Sequence, residues 1–173
     1  IPVIAGTTGW LEKKRALETY CQAQNGTFFY ASNFSIGMNI FFKINAFLAR
    51  LMDQHSEYKV AIEEVHHLEK KDMPSGTAIT LAEGITNNLH RKKNWELAPS
   101  RQEDVLEIVA KREKEVPGTH TVTYTAPVDT LMLKHTAHSR AGFALGAVLV
   151  AEWLQDKQGI LGMEDFLQLD NYF

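Results

Sequence analysis

Side chains that can exchange protons and bind anions are concentrated in one segment of the chain, Glu63–Ala78. Its first half holds two adjacent histidines and a pair of lysines, and its second half contains a Pro-Ser-Gly-Thr turn. Imidazole titrates near neutral pH, and an ammonium beside other cations has a lowered pKa, so both groups suit acid–base catalysis. The segment therefore predicts a histidine and a lysine that handle protons.

The turn Pro74–Thr77 predicts an anion-binding feature, because hydroxyls and N–H groups at a helix start are complementary to a carboxylate or phosphate. The two halves together predict a pocket for a small polyanion with proton donors beside it. A structural alternative stays open, in which Ser75 or Thr77 caps a helix and the histidines fill sheet and surface positions. No metal is expected, since zinc sites favour spaced ligands such as His-x-x-x-His and the chain has no cysteine pair.

The elements on either side of this segment must position it. The apolar run Tyr58–Val65 predicts a strand that leads in, and Ala78–Leu89 predicts a helix that leads out. Adjacent residues of a strand point to opposite faces, so His66 and His67 can meet one ligand only where the strand breaks into a loop. A strand, a polar loop and a helix start form the arrangement in which α/β proteins place their chemistry.

The first residues of the chain predict two strands of a parallel sheet. Residues 1–5 and 27–31 are apolar runs, and a helical pattern over Trp10–Gln24 connects them. Their polar ends, Gly6–Gly9 and Ala31–Ser35, are expected side by side at the carboxyl edge of the sheet. Backbone N–H groups there suit a phosphate or nucleotide, although such glycine-rich turns are also common without a ligand.

The second half of the chain predicts a mixed sheet. Leu106–Arg112 is a predicted strand, and the alternating runs Thr119–Thr125 and Thr130–Ala137 predict an antiparallel hairpin. Trp95–Asp104 is predicted to be a loop and Gly159–Gly162 a turn. The predicted fold class is α/β plus α+β, with a parallel sheet followed by a mixed sheet covered by helices.

The remaining candidate residues lie on or near the hairpin. His120, His135 and His138 are predicted to be structural, because a histidine on a strand is more often a core or surface residue than a ligand. Arg140 could reach an anionic ligand, but an exposed arginine at the end of a strand needs no such role. The structural alternative is therefore kept for all four.

Composition narrows the function classes. The 173 residues carry 18 basic and 21 acidic side chains, a net charge of −3, which argues against nucleic acid as the main partner. No apolar run approaches the roughly 20 residues of a membrane span, and no signal peptide is recognisable. The lone Cys21 predicts a reducing cytoplasm. Because the chain opens within a predicted strand and without an initiator methionine, we expect a fragment of a longer protein.

One motif connects the chain to a known family. Glu64–Ala78 matches every fixed position of the pattern E-x-H-H-x-x-K-x-D-x-P-S-G-T-A. The segment closely resembles the signature of the 4-hydroxy-tetrahydrodipicolinate reductase family, formerly called dihydrodipicolinate reductase. Further matches follow in register along nearly the whole chain, at Gly6–Gly9, Asn33–Gly37, Gly118–His120, Ser139–Arg140 and Gly146–Ala147.

The resemblance implies an oxidoreductase that uses NADPH or NADH in the diaminopimelate route to lysine. Its implied reaction reduces a cyclic hydroxylated dicarboxylic imine to tetrahydrodipicolinate, with loss of water. The resemblance further implies that His66 donates and accepts protons and that Lys70 protonates the ring. The residues implied to bind this small dicarboxylate substrate are His67, Ser75, Gly76, Thr77 and Arg140.

The resemblance also implies a domain division and an assembly. The residues implied to line the nicotinamide side of the cofactor are Gly6, Thr7, Thr8, Ala31, Ser32, Asn33 and Phe34. Residues 1–35 and 141–173 are expected to be the remainder of a Rossmann-like dinucleotide-binding domain, and 36–140 the substrate-binding and oligomerisation domain. The family implies a homotetramer formed through the C-terminal sheet, without nucleic acid or membrane partners.

The chain departs from the family pattern in two places. No G-x-G-x-x-G occurs, so the turn that holds the pyrophosphate and the residues that select NADH or NADPH are missing. In addition, Arg101–Pro117 is shorter than the family pattern. We therefore expect the chain alone to bind dinucleotide poorly and to lack reductase activity. Two alternatives stay open: a non-catalytic binding or assembly module, and a related reductase of another small carboxylate.

Overall fold

The computed structural model describes residues 1–7 and 9–172, in two compact units. The first unit comprises Ile1–Asn39 and Arg140–Phe173, and the second comprises Ile40–Ser139. The first contains a parallel sheet and the second a mixed sheet, each with helices. The predicted class, α/β plus α+β, is confirmed, whereas the functional division at residues 36 and 140 stays a prediction.

The helices and strands have these bounds in chain order: β1 Val3–Ala5, α1 Lys14–Ala23, β2 Thr27–Tyr30, α2 Ile36–Met52, β3 Lys59–His66, α3 Gly76–Thr86, β4 Asn94–Leu97, β5 Val105–Arg112, β6 Gly118–Thr125, β7 Thr130–Ala137, α4 Ala141–Trp153, β8 Gly159–Leu161 and α5 Met163–Leu167. Short 3-10 turns cover Leu11–Lys13, Leu154–Asp156 and Leu169–Asn171. Among the described residues, no helix has the length and apolar character needed to cross a membrane.

The first unit is built on three parallel strands in the order β1-β2-β8. The pairing of β1 with β2 confirms the parallel sheet predicted from the start of the chain. The turn predicted at Gly159–Gly162 is wrong in its first part, because Gly159–Leu161 forms β8 against Thr27–Phe29. A strand of three residues is too short to show a periodicity, so only its pairing partner reveals it.

The core of the first unit is formed by apolar side chains of β2, the loop that follows it and the C-terminal helices. Its buried members are Phe29, Ala31, Phe34, Val150, Leu154 and Met163. Helix α4 approaches the loop after β2 so closely that a Cβ at Gly146 would overlap the carbonyl oxygen of Phe34. The backbone of this loop therefore lies so close to α4 that a glycine is required at position 146 of the helix.

The second unit is built on a mixed five-stranded sheet in the order β4-β5-β3-β6-β7. Its central strand, β3, runs parallel to β5 and antiparallel to β6, and β6 pairs with β7 as the predicted hairpin. The loop predicted over Trp95–Asp104 is wrong in its first part, because Asn94–Leu97 forms β4 alongside β5. An exposed edge strand needs no continuous apolar pattern, and this one follows a basic run that suggested a solvated loop.

Strand β3 alternates between its two faces. Val60, Ile62, Glu64 and His66 are buried, and the residues between them are exposed or half-buried. Helix α3 packs on β3 and β5 through an apolar stripe that includes Ala78, Leu81, Ala82 and Ile85. The period of two therefore places one carboxylate and one imidazole on the buried face of the central strand.

Candidate active site

The central strand ends between the two adjacent histidines. His66 is the last residue of β3, and His67 is the first residue of the loop that returns to α3. This confirms the predicted break in the strand. The helix begins at Gly76, two residues before the predicted start, with Ser75 as its N-cap. Ser75 Oγ accepts the N–H of Ala78 at 3.2 Å, the usual bond of a serine cap.

Glu64 is fully buried in the sheet, with 0% of its surface exposed. Both of its carboxylate oxygens accept the N–H of Ser75, at 3.1 and 3.2 Å. Three further groups lie beside the carboxylate, with Arg112 Nη1 at 3.5 Å, His66 Nδ1 at 3.4 Å and His120 Nε2 at 3.7 Å. Burial raises the pKa of Glu64, but the nearby His120 and the hydrogen bonds from Ser75 outweigh this and lower it to about 2. Glu64 is therefore ionised at neutral pH.

His66 is a buried imidazole, 6% exposed, whose ring meets the ring of His120 edge to face with centroids 5.0 Å apart. Burial and the neighbouring His120 lower the pKa of His66 to about 4, although Glu64 acts in the opposite direction. Its Nδ1 lies near Glu64 but is not aligned for a hydrogen bond, so their attraction is electrostatic. At neutral pH His66 is therefore an uncharged imidazole.

Lys70 lies in the loop with its side chain 22% exposed. Its Nζ donates to both carboxylate oxygens of Asp72, at 2.8 and 2.9 Å. From sequence, other cations were expected beside this lysine, whereas the group in direct contact is an anion. His67 contacts Glu69 in the same loop, with Nδ1 2.9 Å from Oε2. The loop therefore carries two charged or polar pairs at its surface.

Arg112, the last residue of β5, holds this loop against the sheet. Its Nη2 donates to the carbonyl oxygen of Asp72 at 2.6 Å, and its Nε donates to that of Lys70 at 3.4 Å. Its side chain is only 12% exposed. The guanidinium thus links the backbone of the loop to the buried carboxylate of Glu64.

The start of α3 offers backbone donors. Gly76 and Thr77 occupy the first two helical positions, where N–H groups have no intrahelical acceptor. Gly76 is exposed, and a Cβ built there would meet nothing within 4 Å, so the backbone is open to an anion. Ser75, in contrast, is buried, and its hydroxyl contacts His120 Nε2 at 3.2 Å. Ser75 therefore has the capping role kept open as the alternative, and its predicted contact with a ligand stays a prediction.

Glu64, His66 and His120 also have the outline of a metal site. One potential ligand atom from each lies within 4.8 Å of the others, and one glutamate with two histidines is a known zinc set. However, the Glu64 carboxylate already accepts the N–H of Ser75 and faces the guanidinium of Arg112. The Ser75 N–H and the Arg112 guanidinium thus offset the negative charge of the carboxylate. The residues are therefore better described as a hydrogen-bonded cluster than as a metal site. The expected lack of a metal stays a prediction.

The residues predicted to line the cofactor belong to the first unit. Gly6 and Thr7 follow β1, and the loop 31–34 follows the neighbouring strand β2, where Ala31 N–H donates to Ala5 O at 3.2 Å. The two loops therefore lie side by side, as predicted, and a Cβ at Gly6 would stand 2.9 Å from the Phe34 ring. Thr8 lies outside the described residues.

Other predicted residues of the first unit have local structural contacts. Asn33 Oδ1 accepts the N–H of Ser35 at 2.9 Å, which closes the turn before α2. Ser32 is exposed, whereas Ala31 and Phe34 are buried in the core. Arg140 is the N-cap residue of α4 and is also exposed. The exposed residues of this group thus lie at the surface, while the buried ones support the loops.

Three residues of the site were missed by the sequence argument, namely Glu64, Arg112 and His120. Glu64 belongs to the motif, and strict alternation along β3 could have placed it beside His66 on the buried face. His120, predicted to be structural, lies directly opposite Glu64 across the β3–β6 pair. That register, and the approach of Arg112 from β5, depend on strand order, which no local pattern specifies.

The chain is similar to proteins of one known family. A family model described as "Dihydrodipicolinate reductase, C-terminus" matches residues 37–167. A 4-hydroxy-tetrahydrodipicolinate reductase from Christiangramia forsetii is 52% identical over 96% of this chain and 70% of its own length. The protein of the same name from Methanococcoides burtonii is 40% identical over 96% of this chain and 64% of its own length.

A solved structure has the same fold. The dipicolinate-bound dihydrodipicolinate reductase from Paenisporosarcina sp. TG-14 superposes with a TM-score of 0.73, at 22% identity, over 92% of this chain and 62% of that chain. The chain spans between 61% and 70% of the length of the curated relatives it matches.

Proposed function

Since the chain belongs to the dihydrodipicolinate reductase family of oxidoreductases, we propose that its full-length protein reduces 4-hydroxy-tetrahydrodipicolinate to tetrahydrodipicolinate. The observation that carries the proposal is the combination, in one strand–loop–helix segment, of a neutral buried imidazole, an ammonium and open helix N–H groups. A proton acceptor, a proton donor and an anion site within one short segment suit the reduction of a small dicarboxylate. This step belongs to lysine biosynthesis, and the lone Cys21 is consistent with the proposed cytoplasmic location.

Substrate carboxylates are proposed to bind at the start of α3. Gly76 and Thr77 supply backbone N–H groups and the positive end of the helix dipole. His67, at the beginning of the loop, is the proposed side-chain partner, and the ligand role of Arg140 stays a prediction. The bound dipicolinate named for the Paenisporosarcina enzyme, a planar dicarboxylate, supports this substrate class.

Proton transfer is proposed to be divided between two residues. His66 is uncharged at neutral pH, because burial lowers its pKa to about 4, so it suits the accepting role. The Lys70 ammonium, held by Asp72, is the proposed donor to the ring. In the overall reaction one hydride and one proton enter, and the hydroxyl leaves as water.

A nicotinamide cofactor, NADPH or NADH, supplies the hydride when bound. Its proposed contacts in this chain are the adjacent loops after β1 and β2, where Gly6 allows the close approach of Phe34. The described part of the first sheet has three strands and no glycine-rich pyrophosphate turn. We therefore propose that the 173-residue chain alone binds dinucleotide weakly and does not turn over.

A homotetramer assembled through the second sheet is part of the proposal. Strand β7 is the edge of that sheet, and it exposes Leu131 and Met132, which are 42% and 55% accessible. An apolar edge strand readily pairs with another chain, which supports an assembly interface there. Analytical ultracentrifugation of the chain tests this part, and a monomer at all accessible concentrations would contradict it.

Turnover of the full-length protein tests the reductase proposal. His66→Gln and Lys70→Met are expected to lower kcat by at least about a hundredfold, the usual contribution of a general acid or base. Lys71→Met is the matched control, because this adjacent lysine is exposed and has no proposed role. Unchanged turnover in the first two variants would favour a non-catalytic module, and failure to bind pyridine-2,6-dicarboxylate would favour a reductase of another carboxylate.

A further inference from the structure

The buried carboxylate of Glu64 connects the histidine at the end of β3 to the start of α3. We propose that Glu64 is a positioning residue, which fixes the tautomer of His66 and holds the first turn of α3 in place. Glu64 is 0% exposed, so it acts through these neighbours and not by touching the substrate. The inference rests on the proposed function and adds to it a residue to which no role had been assigned.

The hydrogen bonds around Ser75 point towards the carboxylate of Glu64, which accepts them. Ser75 Oγ accepts the N–H of Ala78, so its own hydrogen is available to the Glu64 carboxylate. His120 Nε2 lies 3.2 Å from the same oxygen and 3.7 Å from Glu64, and the nearby carboxylate favours a hydrogen on this nitrogen. Donors from three elements, β6, β5 and the start of α3, thus converge on one carboxylate.

The same carboxylate determines which nitrogen of His66 is basic. Glu64 Oε2 lies 3.4 Å from Nδ1 without the alignment of a hydrogen bond, but an anion at that distance still attracts an N–H and repels a lone pair. Nδ1 therefore carries the hydrogen, and Nε2 carries the lone pair that accepts a proton. Nε2 lies beside Gly118, where an added Cβ would stand 3.1 Å away. The ring is thus restrained on both sides.

The link to α3 is made by the backbone of Ser75. Its N–H donates to both oxygens of Glu64, which fixes the residue immediately before Gly76 and Thr77. Arg112 lies 3.5 Å from the carboxylate and offsets its charge, so an anion bound at the start of α3 is not repelled by an uncompensated negative group. One side chain therefore fixes both the proton acceptor and the carboxylate-binding turn.

Nuclear magnetic resonance of the full-length protein with isotope-labelled histidine gives the direct test, since ring nitrogens with and without hydrogen have well-separated signals. The wild-type protein is expected to show His66 as the Nδ1–H tautomer. Glu64→Gln keeps the size of the side chain but removes its charge, and is expected to give a mixture of tautomers. It is also expected to weaken binding of pyridine-2,6-dicarboxylate by about tenfold, the loss of one charge-assisted bond.

Glu63→Gln is the matched control, because it makes the same chemical change at the adjacent position. Glu63 alternates to the other face of β3, where it pairs with Lys111, and it is half-buried. We expect this variant to keep both the tautomer and the affinity. Ser75→Ala, which removes only the hydroxyl, provides a milder perturbation of the same cluster if Glu64→Gln does not fold, with an intermediate loss of affinity.

An Nε2–H tautomer in the wild-type protein would overturn the inference, with no variant needed. Glu64→Gln with unchanged tautomer and affinity would overturn it as well, and so would stoichiometric zinc that is lost in Glu64→Gln. Failure of the wild-type protein to bind the dicarboxylate would instead contradict the proposed function, while the tautomer measurement still decides the role of Glu64. The two failures are therefore distinguishable.

Discussion

Arg112 Nη2 donates a hydrogen bond of 2.6 Å to the carbonyl oxygen of Asp72, which ties the end of β5 to the loop that carries Lys70. The same guanidinium donates to the carbonyl oxygen of Lys70 at 3.4 Å and lies 3.5 Å from Glu64. A planar fork with five N–H donors can serve these three acceptors together. The position of the loop therefore depends on a side chain from a neighbouring strand.

Arg112→Lys keeps the charge but cannot make the forked contacts. We expect it to lower the free energy of unfolding by about 1–3 kcal/mol, because a buried carboxylate and two carbonyls lose donors. Affinity of the full-length protein for pyridine-2,6-dicarboxylate is expected to fall by about tenfold. Urea unfolding and isothermal titration measure the two effects.

Lys111→Arg is the reciprocal control, made at the adjacent residue on the same strand. Lys111 pairs with Glu63 at the surface, where its side chain is 49% exposed. A change of this kind at an exposed pair is expected to alter stability by less than about 0.5 kcal/mol. Equal losses in both variants would show that the fork of Arg112 has no special role.

The buried imidazole of His66 predicts a dependence of stability on pH. Its pKa is lowered from 6.5 to about 4, mainly by burial, so the unfolded chain binds the proton more strongly than the folded one. The contribution of the uncharged His66 to the free energy of unfolding is therefore complete above the unfolded pKa. It is lost as the pH falls from 6.5 towards about 4. Glu64, lowered from 4.5 to about 2, extends the loss to more acidic pH with the same sign.

Urea unfolding of the wild-type chain and of His66→Gln across this range measures the effect. Between neutral pH and about pH 5.5, the wild type is expected to lose about 1 kcal/mol more than the variant. His135, whose pKa burial also lowers, is present in both proteins and cancels in the comparison. Parallel pH profiles would contradict a depressed pKa for His66.

The local arrangement of the site was predictable from sequence, because it is encoded in adjacent residues. An apolar run up to Val65, a polar loop and a Pro-Ser-Gly-Thr turn specify strand, loop and helix start without any knowledge of distant contacts. The same reasoning placed the loops after β1 and β2 at one edge of a parallel sheet, which β1–β2 pairing confirms.

The buried cluster was not predictable, because it depends on the order and register of strands far apart in sequence. Glu64 meets His120 only because β3 pairs with β6 in one register, and it meets Arg112 only because β5 lies on the other side. The contact of Lys70 with Asp72 was not predicted for a related reason, since sequence proximity to Lys71 and to Asp72 does not say which side chain makes contact.

Gly118→Ala tests how closely the sheet confines His66. The added Cβ would stand 3.1 Å from Nε2 and 3.3 Å from Cδ2 of the His66 ring, so the imidazole must move by a few tenths of an ångström. We expect turnover of the full-length protein to fall by about tenfold, because proton transfer depends on the position of the accepting nitrogen. Steady-state kinetics measure this, with circular dichroism to verify the fold; wild-type turnover would show that the ring has room to adjust.

Two glycines of α4 provide a test of the first unit, because the same substitution meets opposite surroundings. A Cβ at Gly146 would overlap the carbonyl oxygen of Phe34, which is backbone and cannot move aside as a flexible side chain can. At Gly142 nothing lies within 4 Å of the added atom. We expect Gly146→Ala to cost about 2 kcal/mol or more of stability, and Gly142→Ala to be neutral or to add up to about 1 kcal/mol from helix propensity. Urea unfolding midpoints measure the difference, and equal midpoints would mean that α4 does not hold the loop after β2.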